Sequence, residues 1–325
     1  MKAIVQDRYG GPEVLEFRDI DQPVPTDNQV LVQVQAAGVH RGDWHIMTGL
    51  PYMIRLAVPT LGLRKPKVPV FGMDVAGTVE AVGPRVTRFQ PGDEVFGWTD
   101  GSFAEYATAP EDHLAAKPAA LSFEEAAVVP ISGLAALQAV RDVGEVQAGQ
   151  RVLVLGAAGR GRVVRGPNSQ GVRRPRHRGG RHQPAGAGRL DRGRGGHRLH
   201  PHRRHRRDPA VGGDRGHRGR RTLAQLRRAL TPTGTLAIVG GEGGGRVLGG
   251  FLRNLRAPVL SRFIGQRLRM LASKPNQDDL QVLRELIEAG KLRPLVGQTY
   301  PLGEVPEAMR ALEAGKTRGK IVITV

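Results

Sequence analysis

The stretch from Arg160 to Arg221 constrains this chain more than any other feature. It holds 20 Arg, no Lys, three Asp and no Glu, so it carries 20 − 3 = +17. Seven of the ten His of the chain fall there, and it has no aromatic residue, no Ile and no Met. Such a composition supplies neither the apolar stripe of a packed helix nor the apolar run of a buried parallel strand. The whole chain of 325 residues has a formal charge of +19, so the other 263 residues carry only 19 − 17 = +2. A strongly basic chain invites a nucleic-acid reading, since clustered arginines attract phosphates. Here the charge is confined to one stretch, and that stretch lacks the interleaved aromatics on which bases stack. Nucleic-acid binding through the arginines therefore stands as the alternative rather than the main reading.

The flanks have the composition of an ordinary globular protein. Hydrophobic residues make up 39% of the chain, enough for two domains with a substantial core. There is no cysteine, which excludes disulfides and thiolate metal sites. No apolar run reaches membrane-spanning length and the N-terminus lacks a signal-peptide pattern, so a cytoplasmic protein is expected.

Residues 1–122 read as β-rich. Gln29 to Ala36 alternates apolar and polar residues as a half-buried strand does. Val75 to Val82 is a second strand, and the Pro91-Gly92-Asp93 turn feeds a third from Glu94 to Gly97. Short strands with Gly/Pro punctuation predict a small barrel. At Ser122, with Glu125 three residues on, a capping box opens a predicted helix through Ala126 to Val140. Arg151 to Leu155 is a compact apolar strand running into Gly156-Ala157-Ala158-Gly159, the way a parallel nucleotide-binding sheet begins. Beyond the arginine stretch, a helix is predicted at Thr222–Leu230 and a strand at Thr235–Val239 ending in Gly240-Gly241. An amphipathic helix follows at Asp278–Ala289, then a helix at Glu304–Ala314 and a last strand at Lys320–Val325.

Several short motifs recur in a fixed order. They are Met1-Lys2-Ala3, Gly10 to Leu15 (GGPEVL), Ala37 to Trp44 (AGVHRGDW), Gly72 to Gly77 (GMDVAG), Pro91 to Val95 (PGDEV) and Gly101 to Tyr106 (GSFAEY), with Gly234-Thr235-Leu236 and Gly319 to Val322 (GKIV) at the far end. In this order they resemble the medium-chain dehydrogenase/reductase superfamily, in its zinc-free quinone-oxidoreductase-like (zeta-crystallin-like) branch. The resemblance covers some 260 residues on both sides of the arginine stretch. It implies an α/β protein with a GroES-like β-barrel catalytic domain over 1–122. A Rossmann doubly wound parallel sheet would follow over 123–265, disrupted at 160–221, and 266–325 would return to the first domain. It implies hydride transfer from NADPH, with NADH as the other nicotinamide, to a quinone, an enone or a carbonyl. Zinc-dependent relatives place Cys near His40 and Asp43, and a His-Glu pair where this chain has Met73-Asp74, so zinc catalysis by that constellation is not expected. A small-molecule substrate and a homodimer through the nucleotide-binding domain also follow from the resemblance. A degenerate, non-catalytic relative is a third reading.

The family loop reads A-A-G-G-V-G, whereas this chain reads Ala157-Ala158-Gly159-Arg160-Gly161-Arg162. Arg- and Gly-rich, Lys-poor sequence is what GC-rich DNA yields out of frame. Taking the last two bases of each codon with the first of the next leaves only the middle base largely free. Arg160 to Arg174 is then compatible with G-V-G-S-F-A-V-Q-I-A-K-A-F-G-A. Leu190 to Pro201 is compatible with S-I-G-A-E-x-V-I-D-Y-T, and Gly213 to Arg221 with V-I-x-D-T-V-G-G. Some positions are tight: Gln170 before Gly171 permits only Lys or Arg. An extra base near codon 160 and a lost base near codon 221 account for the whole stretch.

The resemblance assigns the cofactor loop to Gly156, Ala157, Ala158 and Gly159, whose plain alternative is a tight turn. It places Pro130, Ser132 and Gly133 at a helix start facing the nicotinamide, where simple capping is the alternative. Gly240 and Gly241 end a strand beside the nicotinamide or belong to a flexible glycine loop. Lys320 pairs with a cofactor phosphate or is a surface charge. Asp43 and Trp44 border the substrate pocket, with a cap and a core residue as alternatives. His40 and His45 are proton-shuttle candidates, and Tyr52 a donor to a carbonyl oxygen; structural roles are the competing reading for all three. Met73 and Asp74 are expected to build the interdomain wall.

Overall fold

In the computed structural model the described residues are 1–58, 61–150, 152–154, 210–212, 222–240, 245–315 and 317–325. The strands are β1 (Lys2–Gln6), β2 (Leu15–Asp19), β3 (Gln29–Val39), β4 (Asp74–Val82), β5 (Glu94–Trp98), β6 (Tyr106–Pro110), β7 (Leu114–Ala116), β8 (Ala210–Gly212), β9 (Thr235–Ile238), β10 (Arg267–Met270), β11 (Val296–Pro301) and β12 (Lys320–Thr324). The helices are α1 (Arg41–Thr48), α2 (Ile54–Ala57), α3 (Phe123–Ala127), α4 (Pro130–Gln138), α5 (Leu223–Arg227), α6 (Phe251–Ser261), α7 (Gln277–Glu288) and α8 (Val305–Ala314).

The long strand β3 organises the larger sheet. Along one edge it pairs with β4 over most of its length. Its other edge is shared: Gln29 to Gln33 pair with β6, and Ala36 to Val39 pair with β12. The C-terminal strands β12 and β11 thus extend the N-terminal sheet, whose order is β11-β12-β3-β4-β5-β7. Register follows, placing Ile321 opposite Val39 and Asp74 opposite Gly38. The second sheet is parallel, β10-β9-β8; β8 lies within the arginine stretch, so the small residues Ala210-Val211-Gly212 form a parallel strand there against the expectation from composition. An α/β protein with a GroES-like antiparallel sheet and a Rossmann-like parallel sheet is therefore what these residues build.

Alternation in β3 predicts one wet face, yet from Val34 to Val39 only Gln35 is less than buried. The reason is a covering helix. A Cβ on Gly38 would lie 2.3 Å from the Ala127 carbonyl oxygen, so only glycine lets α3 approach this closely. The helix expected through Ala126–Val140 is two helices. The Ser122–Glu125 capping box opens α3, which ends at Ala127. Pro130 then takes the first position of α4, because proline lacks the N–H and clashes with the carbonyl four residues back. After Gln138 the chain passes through a π-helical turn, Ala139–Val143.

The other sequence-predicted elements appear at nearly their expected bounds, with α5 ending at Arg227 and capped by Thr222. Periodicity does not show β10 or α6, since β10 is only four residues long and reads Arg-Leu-Arg-Met. The expected strand at 151–155 has Arg151 and Leu155 outside the described residues; Val152 and Leu153 pack against the parallel sheet.

One core lies within the N-terminal sheet and under α8, where Met309, Val305 and Leu312 meet Ile321 and Val39. A second joins that sheet to α3, α4 and α7 through Phe96, Val128, Leu134, Leu280 and Leu283. In α7, Asn276 caps the start by accepting from the Asp279 N–H at 2.9 Å, and Leu280, Leu283 and Ile287 recur on the buried face. Leu283 is fully buried against Gly133 of α4. Leu283→Ala is expected to lower unfolding free energy by about 2–5 kcal/mol in urea denaturation, from lost transfer energy plus the cavity.

Candidate functional site

The strand register brings five polar side chains together. Lys320 opens β12 and so stands beside His40, which directly follows β3. Asp74 opens β4 on the other side of β3. Asp43 lies in the first turn of α1, and Ser132 in the first turn of α4. His40, Asp43, Asp74 and Lys320 are all buried, with Asp43 and Asp74 at 0% exposure and Lys320 at 1%.

Their contacts are specific. The Lys320 Nζ donates to Ser132 Oγ at 2.6 Å. Asp74 Oδ1 accepts from the Ile131 N–H at 2.8 Å, fixing the start of α4 to β4. Asp43 Oδ2 accepts from the His40 N–H at 2.7 Å and lies 3.6 Å from His40 Nδ1. Among the described residues, Asp43 Oδ1, Asp74 Oδ2 and both ring nitrogens of His40 are buried without a hydrogen-bond partner. An unpaired buried polar atom costs about 1–3 kcal/mol, so packing alone does not justify four of them in one cluster.

Burial governs the charges. It pushes the Asp74 carboxyl up to about 7, against the pull of the Lys320 ammonium and the Ile131 N–H. Asp43 is raised well above the usual carboxylate range by burial, with the His40 N–H opposing and Asp74 adding to the rise. Burial and then the Lys320 ammonium hold the His40 imidazole well below its ordinary value, so it is neutral at pH 7. The cluster contains one cation and two reluctant acids.

The remaining sequence-predicted residues fall around this centre. Pro130 and Gly133 are buried in α4, Gly133 against Leu283. The Trp44 indole N–H donates to Glu313 Oε1 at 2.6 Å, and the Arg41 guanidinium lies 4.4 Å from its ring, which ties it to the end of α8. His45 Nδ1 is 2.6 Å from the Leu50 carbonyl oxygen. Tyr52 is largely exposed; its N–H donates to the Arg246 carbonyl, and Arg55 lies 4.7 Å from its ring. Gly240 follows β9 with φ 95, and no atom of the described residues lies within 4 Å of where its Cβ would stand. Lys320 is not a surface charge. Gly156, Ala157, Ala158, Gly159 and Gly241 lie outside the described residues. The sequence marks Asp74 only as wall; its position as the carboxylate that holds α4 becomes visible with the register. The signal was the Gly72-Met73-Asp74 motif opening a strand.

Comparison with known proteins places this geometry. Residues 26–119 match the alcohol dehydrogenase GroES-like domain, and 211–323 match the zinc-binding dehydrogenase family. The quinone oxidoreductase of Homo sapiens is 30% identical over 341 residues, covering 99% of this chain and 97% of that one. The chain belongs to the medium-chain dehydrogenase/reductase superfamily. The quinone oxidoreductase of Lama guanicoe is 39% identical over 163 residues, and this match spans about half of either protein, 49% of this chain and 46% of the relative. A solved NAD-dependent alcohol dehydrogenase is similar over its full length, with TM-score 0.71 and 27% identity. The quinone oxidoreductase from Coxiella burnetii shares the fold, with TM-score 0.73 and 23% identity over 99% of its length. Among the described residues no helix is long and apolar enough to cross a membrane.

The residues present do not suit the zinc that one of these family descriptions names. The chain has no cysteine, and among the described residues no three His, Asp or Glu side chains form a group able to hold a metal ion. The Lys320 ammonium is the cation acting on His40, Asp43 and Asp74.

Proposed function

We propose that this protein is an NAD(P)H-dependent oxidoreductase that reduces a quinone, an enone or a carbonyl compound without zinc. NADPH is the proposed cofactor, a small molecule the partner, the cytoplasm its place and a homodimer its assembly. The observation that carries the reading is the buried joint of Asp74, Ile131, Ser132 and Lys320 between the GroES-like sheet and α4. It supports a cleft between a catalytic part (1–122, with 266–325 returning to it) and a nucleotide-binding part (123–265). Ligands of open α/β sheets bind outside the carboxyl ends of the strands, at such a cleft.

What the chain offers there fits a nicotinamide. Gly240, at the carboxyl end of β9, has no described atom within 4 Å of where its Cβ would stand, and half-buried Ser132 lies in the first turn of α4. When bound, the nicotinamide supplies the hydride. Pro130, Ser132 and Gly133 would border its ring with Gly240 and Gly241, and Gly156 to Gly159 would face the pyrophosphate. Tyr52, at the contact between the 51–53 turn and Arg246–Val247, would border the substrate. The codon argument made from the sequence carries the view that residues 160–221 are out of frame.

Fluorescence titration with NADPH tests the function. Saturable quenching, with turnover of a quinone or an enone, is the expected result. A correctly framed chain that takes up no NADPH would be a non-catalytic relative, and the proposal would fall.

A further inference from the structure

We propose that Ser132 and Lys320 form a proton relay, with Ser132 as the catalytic residue that delivers a proton to the substrate oxygen and Lys320 as the group that resupplies it. The inference rests on the hydride-transfer reading above and adds the acid that reading lacks.

The geometry is directional. Lys320 rises from β12, between β11 and β3, and its ammonium crosses to the first turn of α4 to meet Ser132 Oγ at 2.6 Å. At 1% exposure the lysine is out of reach of a bound molecule, whereas Ser132 is only half-buried. The order from ligand inward is therefore Ser132 and then Lys320. A buried ammonium is unfavourable unless paired, and an apolar side chain would fill the same volume more stably. A serine oxygen that accepts from a cation keeps its own hydrogen for donation, and that donation is strengthened by the first bond. Neutral His40 holds no proton to compete at pH 7.

The step balances. Hydride, two electrons and one hydrogen nucleus, reaches the acceptor carbon from a reduced nicotinamide, and the π pair moves onto the substrate oxygen. The Ser132 O–H bond breaks as that oxygen takes the proton. Ser132 Oγ takes a proton from Lys320 Nζ, leaving a neutral amine. The amine regains a proton from water through Ser132 once the product has left. The net reaction is acceptor plus hydride plus one proton.

The test compares Ser132→Ala, Ser132→Thr, Lys320→Met and the double variant Ser132→Ala/Lys320→Met. It uses the full-length chain, with the frame of 160–221 restored if the chain as it stands takes up no NADPH. Two quantities are read: the NADPH dissociation constant by fluorescence, and the single-turnover rate with saturating quinone or enone in H2O and D2O. Ser132→Ala is expected to lose at least about 100-fold in rate, the range a general acid contributes, to lose far less in NADPH affinity than in rate, and to lose the solvent isotope effect. Ser132→Thr restores most of the rate, and the double variant is no slower than the worse single one, as members of one unit behave. Ser132→Ala turning over at the wild-type rate overturns the relay and leaves the hydride reading standing. So does an NADPH affinity that falls in step with rate, which makes the pair a cofactor contact. A wild-type chain, in either frame, that binds no NADPH overturns both.

Discussion

Restoring the reading frame across codons 160–221 is expected to raise the affinity for NADPH by at least about 100-fold, to a dissociation constant near about 1 μM, or about −8 kcal/mol. The argument is one of shape and charge together. In the shifted frame the residues after Gly159 are compatible with G-V-G, and glycines there let the backbone approach a pyrophosphate with the following helix N-terminus aimed at it. As the chain stands, Arg160 and Arg162 occupy two of those positions. Arginine attracts phosphate but does not build the cradle, and twenty of them in 62 residues repel one another. The restored stretch also regains Val, Ile and Phe for a sheet whose described strands number three. Fluorescence titration of the two purified forms gives the answer, with NADPH-dependent thermal stabilisation as a second readout. At NADPH about 100 times its dissociation constant the restored form gains about 2.7 kcal/mol, and the unrestored form far less. Equal affinity in both forms would dispose of the frame argument.

The flanks were legible because their signals are local. Alternation in Gln29–Ala36, the Ser122–Glu125 box and the apolar face of Asp278–Ala289 each lie within a dozen residues, and each became β3, α3 or α7. The break at Pro130 was also written in the chain, yet the apolar run on both sides reads as one helix unless the proline is given its steric weight. By contrast, α6 contains Pro258 and β10 is short and charged, so neither has a period to find. The site was legible only in pieces. His40 and Asp43 stood out because of their motif, and Lys320 because of the closing strand. That Lys320 meets Ser132, 188 positions away, depends on β12 crossing back to β3, and no local pattern encodes that. Asp74 was read as wall for the same reason: its partner, the Ile131 N–H, is 57 positions away.

Asp74→Ala is expected to destabilise the protein by about 3 kcal/mol or more at low pH, and Asp74→Asn by distinctly less, with the same direction of pH dependence relative to wild type. The alanine removes the acceptor of the Ile131 N–H, leaving that donor without its partner at a cost of about 1–3 kcal/mol, and opens a cavity where the buried carboxyl stood. The asparagine keeps an acceptor for Ile131 but no charge. The carboxyl of Asp74 is raised from 3.8 to about 7 in the folded protein, chiefly by burial. The folded state therefore holds a proton that the unfolded chain releases near 3.8, so stability is greatest below that value and falls as pH rises towards about 7. For one proton the slope is at most about 1.4 kcal/mol per pH unit. Asp74 also adds to the rise of the Asp43 carboxyl, so removing Asp74 lowers Asp43 as well. Both variants should thus gain on wild type as pH rises from about 4 to about 7 and run parallel above it, with Asp74→Ala lying below Asp74→Asn at every pH. Urea denaturation at four or five pH values separates the curves. A wild-type stability that rises across that window relative to Asp74→Asn would mean that Asp74 is an ordinary ionised partner of Lys320, and that burial does not govern this cluster.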